Sequence, residues 1–239
     1  MQCIFIETPP LDVYAHMAID ELLVSKHLRP DICMARFFNW AQAAGGGSGA
    51  AATFGYAQFE NTARAQINAA GVAQYTRRPT GGGVVLHKDD LTFSLFFTAA
   101  GAIKPQQIYG ALHAAIRQEF QAAGLALGAY DKQSDYRPAP NGVSANCFAN
   151  PVSDDLLDDG GAKVLGGAIR RFGDAVLYQG SLQLPAARGN ANYQNALRAA
   201  FLKYFSAAPA AQPAGNSLLN EAYALAAEVY KTREWIEKF

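Results

Sequence analysis

Cysteine is scarce: the 239 residues hold only Cys3, Cys33 and Cys147. So wide a spacing supports neither a disulfide framework nor a zinc ribbon. The four histidines, His16, His27, His87 and His113, form no ligand-spaced cluster, so a zinc role has no support. Net charge is also missing, since Lys+Arg and Asp+Glu both count 20. That balance argues against a nucleic-acid-binding surface or a polybasic membrane patch. No apolar run approaches the ~20 residues of a spanning helix. The start, Met1 to Glu7, has no basic segment, so a signal peptide is not expected. The default is then a reducing cytoplasm with free thiols, each a small buried hydrophobe or a nucleophile. Half the residues are apolar. A sizeable core follows, in one large domain or two small ones.

Ile4 to Ile6 reads as a strand broken by Pro9-Pro10. Asp12 is a helix cap, with the helix running through Val24. Met34 to Phe38, Ala51 to Tyr56 and Leu91 to Phe97 are strand-like. Pro105 starts a helix that Gly124 ends. Lys163 to Leu184 holds two strands around a turn at Arg171 to Asp174, and helices are expected over Tyr193 to Phe205 and Leu218 to Lys238. Residues 131–146 read as a polar, proline-containing loop. The linker-like stretch around Gly45 to Gly49 reads as a loop inside a domain. Asp154, Asp155, Asp158 and Asp159 lack the spacing of a calcium loop and read as a solvated acidic turn. Strands and helices mix without strict βαβ alternation, which points to an α+β fold.

Chemistry concentrates in Arg77-Arg78-Pro79-Thr80-Gly81-Gly82-Gly83-Val84-Val85-Leu86-His87. Three glycines before a β-branched pair mark a place where backbone comes close to another group. The arginines suggest a carboxylate, a phosphate or a polarised carbonyl; their bland reading is ordinary solvated charge. His87 alone would be a satisfied core histidine. Cys147 follows a polar loop and needs a cation or base to become thiolate at neutral pH. Lys163, at the start of Gly166-Gly167-Ala168, is a candidate for that cation. Against this stands the commoner case of an inert core cysteine.

Taken in order, these segments resemble the lipoate–protein ligase and octanoyltransferase family, whose catalytic fold is shared with biotin–protein ligases. His16 to Glu21 is similar to its N-x-A-x-D-E pattern, Arg36 to Trp40 to R-F-Y-x-W, and Phe54 to Gln58 to L-G-Y-x-Q. Arg77 to His87 with Leu91 to Ser94 resembles R-R-x-T-G-G-G-x-V-x-H and L-T-Y-S. Lys163 to Arg171 resembles K-V-x-G-S-A-Q-R-R, and Gly180-Ser181-Leu182 resembles the G-S-I of H-G-S-I. The resemblance implies mixed or antiparallel sheets flanked by helices and a single catalytic acyltransferase domain over 1–239. Two chemistries occur in the family. Ligases activate lipoate with ATP and Mg, many with an accessory domain that is not expected in this chain. One-domain octanoyltransferases pass octanoate from acyl carrier protein through a cysteine thioester to a lipoyl-domain lysine.

Cys147-Phe148-Ala149-Asn150-Pro151 resembles the transferases' C-F-x-x-P segment, with Lys163 in the matching place. The resemblance therefore implies Cys147 and Lys163 as catalytic. It implies Arg77, Gly81, Gly82, Gly83, His87, Gly166, Gly167 and Ala168 as substrate-binding. An acyl chain is expected against Gly81 to Gly83 with Val84 and Val85 beside it, and oxyanion donors near Gly166 and Gly167. No cofactor is expected. Partners are acyl carrier protein and the lipoyl domains of 2-oxoacid dehydrogenase E2 or glycine cleavage H protein. The alternatives are an ATP-dependent ligase and a non-catalytic acyl- or lipoyl-domain-binding homologue. The chain departs from the family at Lys88 (usually Asp), Gly167 (Ser), Ile169 (Gln) and Gln179 (His).

Overall fold

The strands form two sheets of different size, and residues of both line one pocket. A computed structural model describes residues 1–41, 50–99, 103–131, 148–149 and 151–239. Cys147, the Gly45 to Gly49 stretch and residues 132–146 lie outside the described residues.

The chain runs β1 (Gln2–Glu7), α1 (Val13–Leu22), β2 (Ile32–Phe37), β3 (Ala51–Phe54), α2 (Glu60–Ala69), β4 (Gln74–Arg77), β5 (Val85–His87) and β6 (Leu91–Thr98). It continues with α3 (Pro105–Ala122), β7 (Gly128–Ala129), β8 (Leu156–Leu157), β9 (Lys163–Phe172), β10 (Ala175–Leu182), α4 (Ala191–Phe205), β11 (Ala208–Pro213), α5 (Asn216–Leu225) and α6 (Arg233–Ile236). The large sheet is ordered β11-β1-β2-β6-β10-β9-β8-β7, and the small one β4-β3-β5. β1 lies parallel to β11 and β2, while β6, β10, β9 and β8 pair antiparallel, so the large sheet is mixed.

Side chains alternate across the large sheet. On β6, Leu91, Phe93, Leu95 and Phe97 join the core under α3 and α4, whereas Phe96 joins the core under α1 and α5. Each such fully buried side chain contributes about 1.5–3 kcal/mol. A third cluster packs α2 on the small sheet through Ala63, Ile67, Phe54 and Val84.

Local signals account for several boundaries. Asp12 caps α1 by accepting from the Ala15 N–H at 2.8 Å, and Gly173, at φ +63°, turns β9 into β10. The expected helix over Leu218 to Lys238 is not continuous. It runs as α5, then a π-helical stretch Ala226–Tyr230, and breaks before α6. The break has a local cause: the Thr232 hydroxyl accepts from the Trp235 N–H and starts a new helix. Among the described residues no helix is long and apolar enough to cross a membrane.

Candidate active site

A pocket opens where the two sheets face each other. β3 contributes Thr53; β5 contributes Val85 and His87; β6 contributes Thr92. The opposite wall is Gly166, Gly167 and Ala168 of β9 with Gln179, Gly180 and Ser181 of β10. Met17, Phe38, Arg78 and Phe148 complete it. The free space is narrow, about 30 Å³ of room for the centre of a water-sized sphere. A second cavity, about 520 Å³ by the same measure, is lined by Val84, Leu86, Lys163 and Gln183 among others. Phe148 lines both.

The polar end of the first pocket is built on Asp90. His87 Nδ1–H donates to Asp90 Oδ2 at 2.9 Å, and the Thr92 and Ser181 hydroxyls each donate to the same oxygen at 2.7 Å. Burial pushes the Asp90 carboxyl up, but the His87 charge and these hydrogen bonds outweigh it and hold it below the usual carboxylate range. His87 Nε2 meets the Thr53 hydroxyl at 3.0 Å, and the ring stacks on Trp40 at 4.7 Å. His87 is thus fixed from three sides.

At the floor lies a buried ion pair. Arg36 Nε donates to Asp20 Oδ1 at 2.7 Å, with both side chains fully buried. The Ser94 hydroxyl and Gln179 Nε2 donate to Asp20 Oδ2. His16 Nε2–H donates to the Asn39 carbonyl, which leaves Nδ1 to accept from Arg36. Burial first, and then the Arg36 charge, keep His16 neutral well below its usual range.

Behind the β9 wall, Lys163 Nζ pairs with Asp155 Oδ2 at 2.8 Å. The lysine folds back over Gly166, where a Cβ would meet its Cε at 2.3 Å. The ammonium also sits 5.2 Å from the centre of the Phe148 ring. Asp155 is fully buried, which corrects the expectation of a solvated acidic turn for this residue. The Tyr109 hydroxyl and the Val152 N–H anchor its carboxylate.

The structure separates the expected binding residues. His87, Gly166, Gly167 and Ala168 line the pocket. Gly81, Gly82 and Gly83 are not among its lining residues; the run approaches the chain's own backbone instead. A Cβ on Gly55 would stand 1.9 Å from the Gly82 carbonyl oxygen, and Gly82 itself has φ +91°. Of the valines, Val85 lines the first pocket and Val84 the second. Gly167 N–H already donates to the Tyr109 hydroxyl at 3.0 Å, so it is not an idle oxyanion donor.

Arg77 also lies away from the pocket. Its guanidinium donates to the carbonyls of Gly55, Tyr56, Gln58, Trp235 and Ile236, tying the C-terminal residues to the small sheet. Arg77→Met is therefore expected to lower stability by about 2–3 kcal/mol, the cost of buried acceptors left unpaired. Urea denaturation checks this, and a raised substrate KM at unchanged stability would contradict it. Arg78 is the arginine that faces the site. Its Nε and Nη2 close the glycine turn on the Gly81 carbonyl, and Nη1 reaches Thr53 Oγ1 at 3.4 Å.

The family model "Lipoyl protein ligase A/B catalytic domain" matches residues 12–209. The chain belongs to this family. Octanoyltransferase LipM of Oceanobacillus iheyensis is 30% identical over 190 residues, which cover 75% of this chain and 63% of that protein. Octanoyltransferase LipM of Bacillus subtilis is 30% identical over 192 residues, 75% and 64% of the two chains. The chain thus spans less than two thirds of the length of these curated relatives. Lipoate-protein ligase A bound with ATP superposes with a TM-score of 0.75 at 18% identity, over 99% of this chain and 98% of that one. A structure from the bi-partite lipoate protein ligase system of Thermoplasma acidophilum gives 0.74 at 17%, over 99% and 96%. At such identities these two establish the fold.

Within the lipoyl ligase family, the departures of this chain have local compensation. Lys88 turns out to donate to the Ala70 carbonyl, and Asp90 supplies the carboxylate that His87 needs. Gln179 accepts from the Thr80 hydroxyl at 2.6 Å while donating to Asp20 at 2.7 Å, so both ends of the amide are used. Gly167 is matched to Tyr178: a Cβ there would meet the Tyr178 hydroxyl oxygen at 2.2 Å. Ile169 packs, half-buried, against the core under α3 and α4.

Proposed function

We propose that the protein transfers octanoyl groups from an acyl carrier thioester to a lipoyl-domain lysine in protein lipoylation, with Cys147 as nucleophile and Lys163 as the assisting cation. The observation that carries this reading is the position of Phe148. It follows Cys147 in the chain, lines the pocket between the sheets, and faces the Lys163 ammonium. The LipM relatives support the choice of transferase.

In the first step the Cys147 thiolate attacks the thioester carbonyl. The new carbon–sulfur bond forms, the bond to the carrier sulfur breaks, and the carrier leaves as a thiol after taking a proton. In the second step the acceptor lysine amine attacks the acyl-cysteine. An amide forms, the Cys147 sulfur is released, and the amine gives up its proton. Lys163 contributes positive charge beside the tetrahedral oxygen. Thioester to amide is downhill, so the proposal needs neither ATP nor metal. Phe148 lines both the pocket and the second cavity, and the proposed course of the acyl chain runs beside it. Acyl carrier protein is the proposed donor. Lipoyl domains of E2 or H protein are the proposed acceptors, and the cytoplasm the proposed compartment.

Mass spectrometry tests the reading. Mixed with octanoyl carrier protein, the enzyme is expected to gain one octanoyl mass, and Cys147→Ser to gain none and lose at least about 1,000-fold in transfer rate. Pyrophosphate release from ATP that depends on lipoate, without an adduct, would establish the ligase instead. Neither signal, with retained lipoyl-domain binding, would make the chain a non-catalytic binder.

A further inference from the structure

The Lys163–Asp155 pair is more heavily built than an ion pair at a pocket margin requires. Asp155 is fully buried, and the Lys163 side chain is 3% exposed. Each carboxylate oxygen has its own anchor. Oδ2 takes the Lys163 ammonium at 2.8 Å and the Val152 N–H at 2.7 Å, and Oδ1 takes the Tyr109 hydroxyl. Tyr109 does two things at once. Its hydroxyl donates to Asp155 and accepts from the Gly167 N–H at 3.0 Å, so the carboxylate is linked through one oxygen to the wall of the acyl pocket.

Among the described residues, Asp155 is the carboxylate paired with Lys163. His113 of α3 is held neutral, pushed down to about 3, chiefly by burial. Its Nδ1–H donates to the Asp154 carbonyl, so Nε2 accepts the Tyr178 hydroxyl proton from β10. The Asp154 carboxylate points to Gly110 and Gln106. Phe148 covers the ammonium from the pocket side. A buried ammonium without its counter-ion would shed its proton or turn away.

We propose that Asp155 is a positioning residue for acyl transfer: its carboxylate keeps the Lys163 ammonium charged and folded over Gly166 and, through Tyr109, fixes the Gly167 segment of the pocket wall. The transfer arm of the test rests on the octanoyltransferase reading, whereas the labelling arm does not.

In the labelling arm, wild type and Asp155→Asn are reductively methylated near pH 7, and peptide mass spectrometry follows Lys163 against the exposed Lys203. Loss of the counter-ion is expected to raise Lys163 methylation about tenfold and leave Lys203 unchanged. In the transfer arm, Asp155→Asn is expected to lose about 100-fold in kcat, with KM for octanoyl carrier protein within about threefold and the rate profile displaced toward lower pH. Asp155→Glu should recover part of kcat, since it restores the charge. If Asp155→Asn does not fold by circular dichroism, Tyr109→Phe, which removes one anchor, should still raise Lys163 methylation about threefold. A folded Asp155→Asn with wild-type Lys163 methylation overturns the proposal. A wild-type enzyme that transfers no octanoyl group, with methylation raised as expected, leaves the positioning role standing and removes only the transferase reading.

Discussion

Asp20→Ala is expected to destabilise the protein by about 3–5 kcal/mol, the cost of stranding a buried charge. Arg36, fully buried, would keep its guanidinium among Phe38 and His16 with no carboxylate opposite. His16 cannot take over, because its Nδ1 is a neutral acceptor. Two further donors, Ser94 Oγ–H and Gln179 Nε2–H, would lose the oxygen they share. Gln179 lines the pocket, so stability and pocket shape should fail together. Asp20→Ala with Arg36→Met should recover much of the loss, since removing both charges also removes their desolvation cost. Urea denaturation of the two single variants and the double variant supplies the cycle. A single-variant cost below about 1 kcal/mol would show that the pair is not a structural anchor.

Local chemistry was legible in the sequence; chemistry that depends on distant packing was not. The Asp12 cap needs only the next three residues, and the β9–β10 hairpin only its turn, so both stood out. Asp155 did not, because an acidic run reads as solvated until Tyr109, 46 residues away, is seen to cover it. Arg77 looked like an anion ligand because its five carbonyl partners come from two segments that the sequence does not connect. β11, with its prolines, has little strand propensity and is a strand because β1 pairs with it in parallel register. α2 went unmarked because Glu60 to Ala69 has a weak apolar stripe, with only Ala63 and Ile67 as buried apolar residues, whereas β3, the central strand of the small sheet, was legible. Gly55 gave no signal either; its need for glycine arises from the Gly82 carbonyl pressed against it.

Stability should fall steeply on mild acidification, before most carboxylates titrate, and two buried histidines are the reason. His113 is fully buried against Tyr109, with ring centres 3.9 Å apart, and is pushed down to about 3 by burial, with the Lys163 charge adding to it. His16 is shifted the same way, by burial and then by Arg36. In the unfolded chain both titrate near 6.5. Below that pH the unfolded state binds protons that the native state refuses, so stability declines as pH falls. Each histidine contributes about 1.4 kcal/mol per pH unit, or about 2 kcal/mol each between pH 6.5 and 5. For His113 the loss continues to about pH 3. Asp90, held low, adds its own loss only in the carboxylate range. Asp155, raised by burial against the pull of Lys163, works in the opposite direction there. Between pH 5 and 6.5 the histidines therefore dominate. Urea denaturation across that window should show an uptake of about two protons on unfolding, and His113→Gln should reduce it to about one while lowering stability at pH 7 through the bond lost from Tyr178. A stability curve that stays flat from pH 6.5 to 5 would mean that the folded protein accepts these protons, and that neither ring is held neutral by its burial.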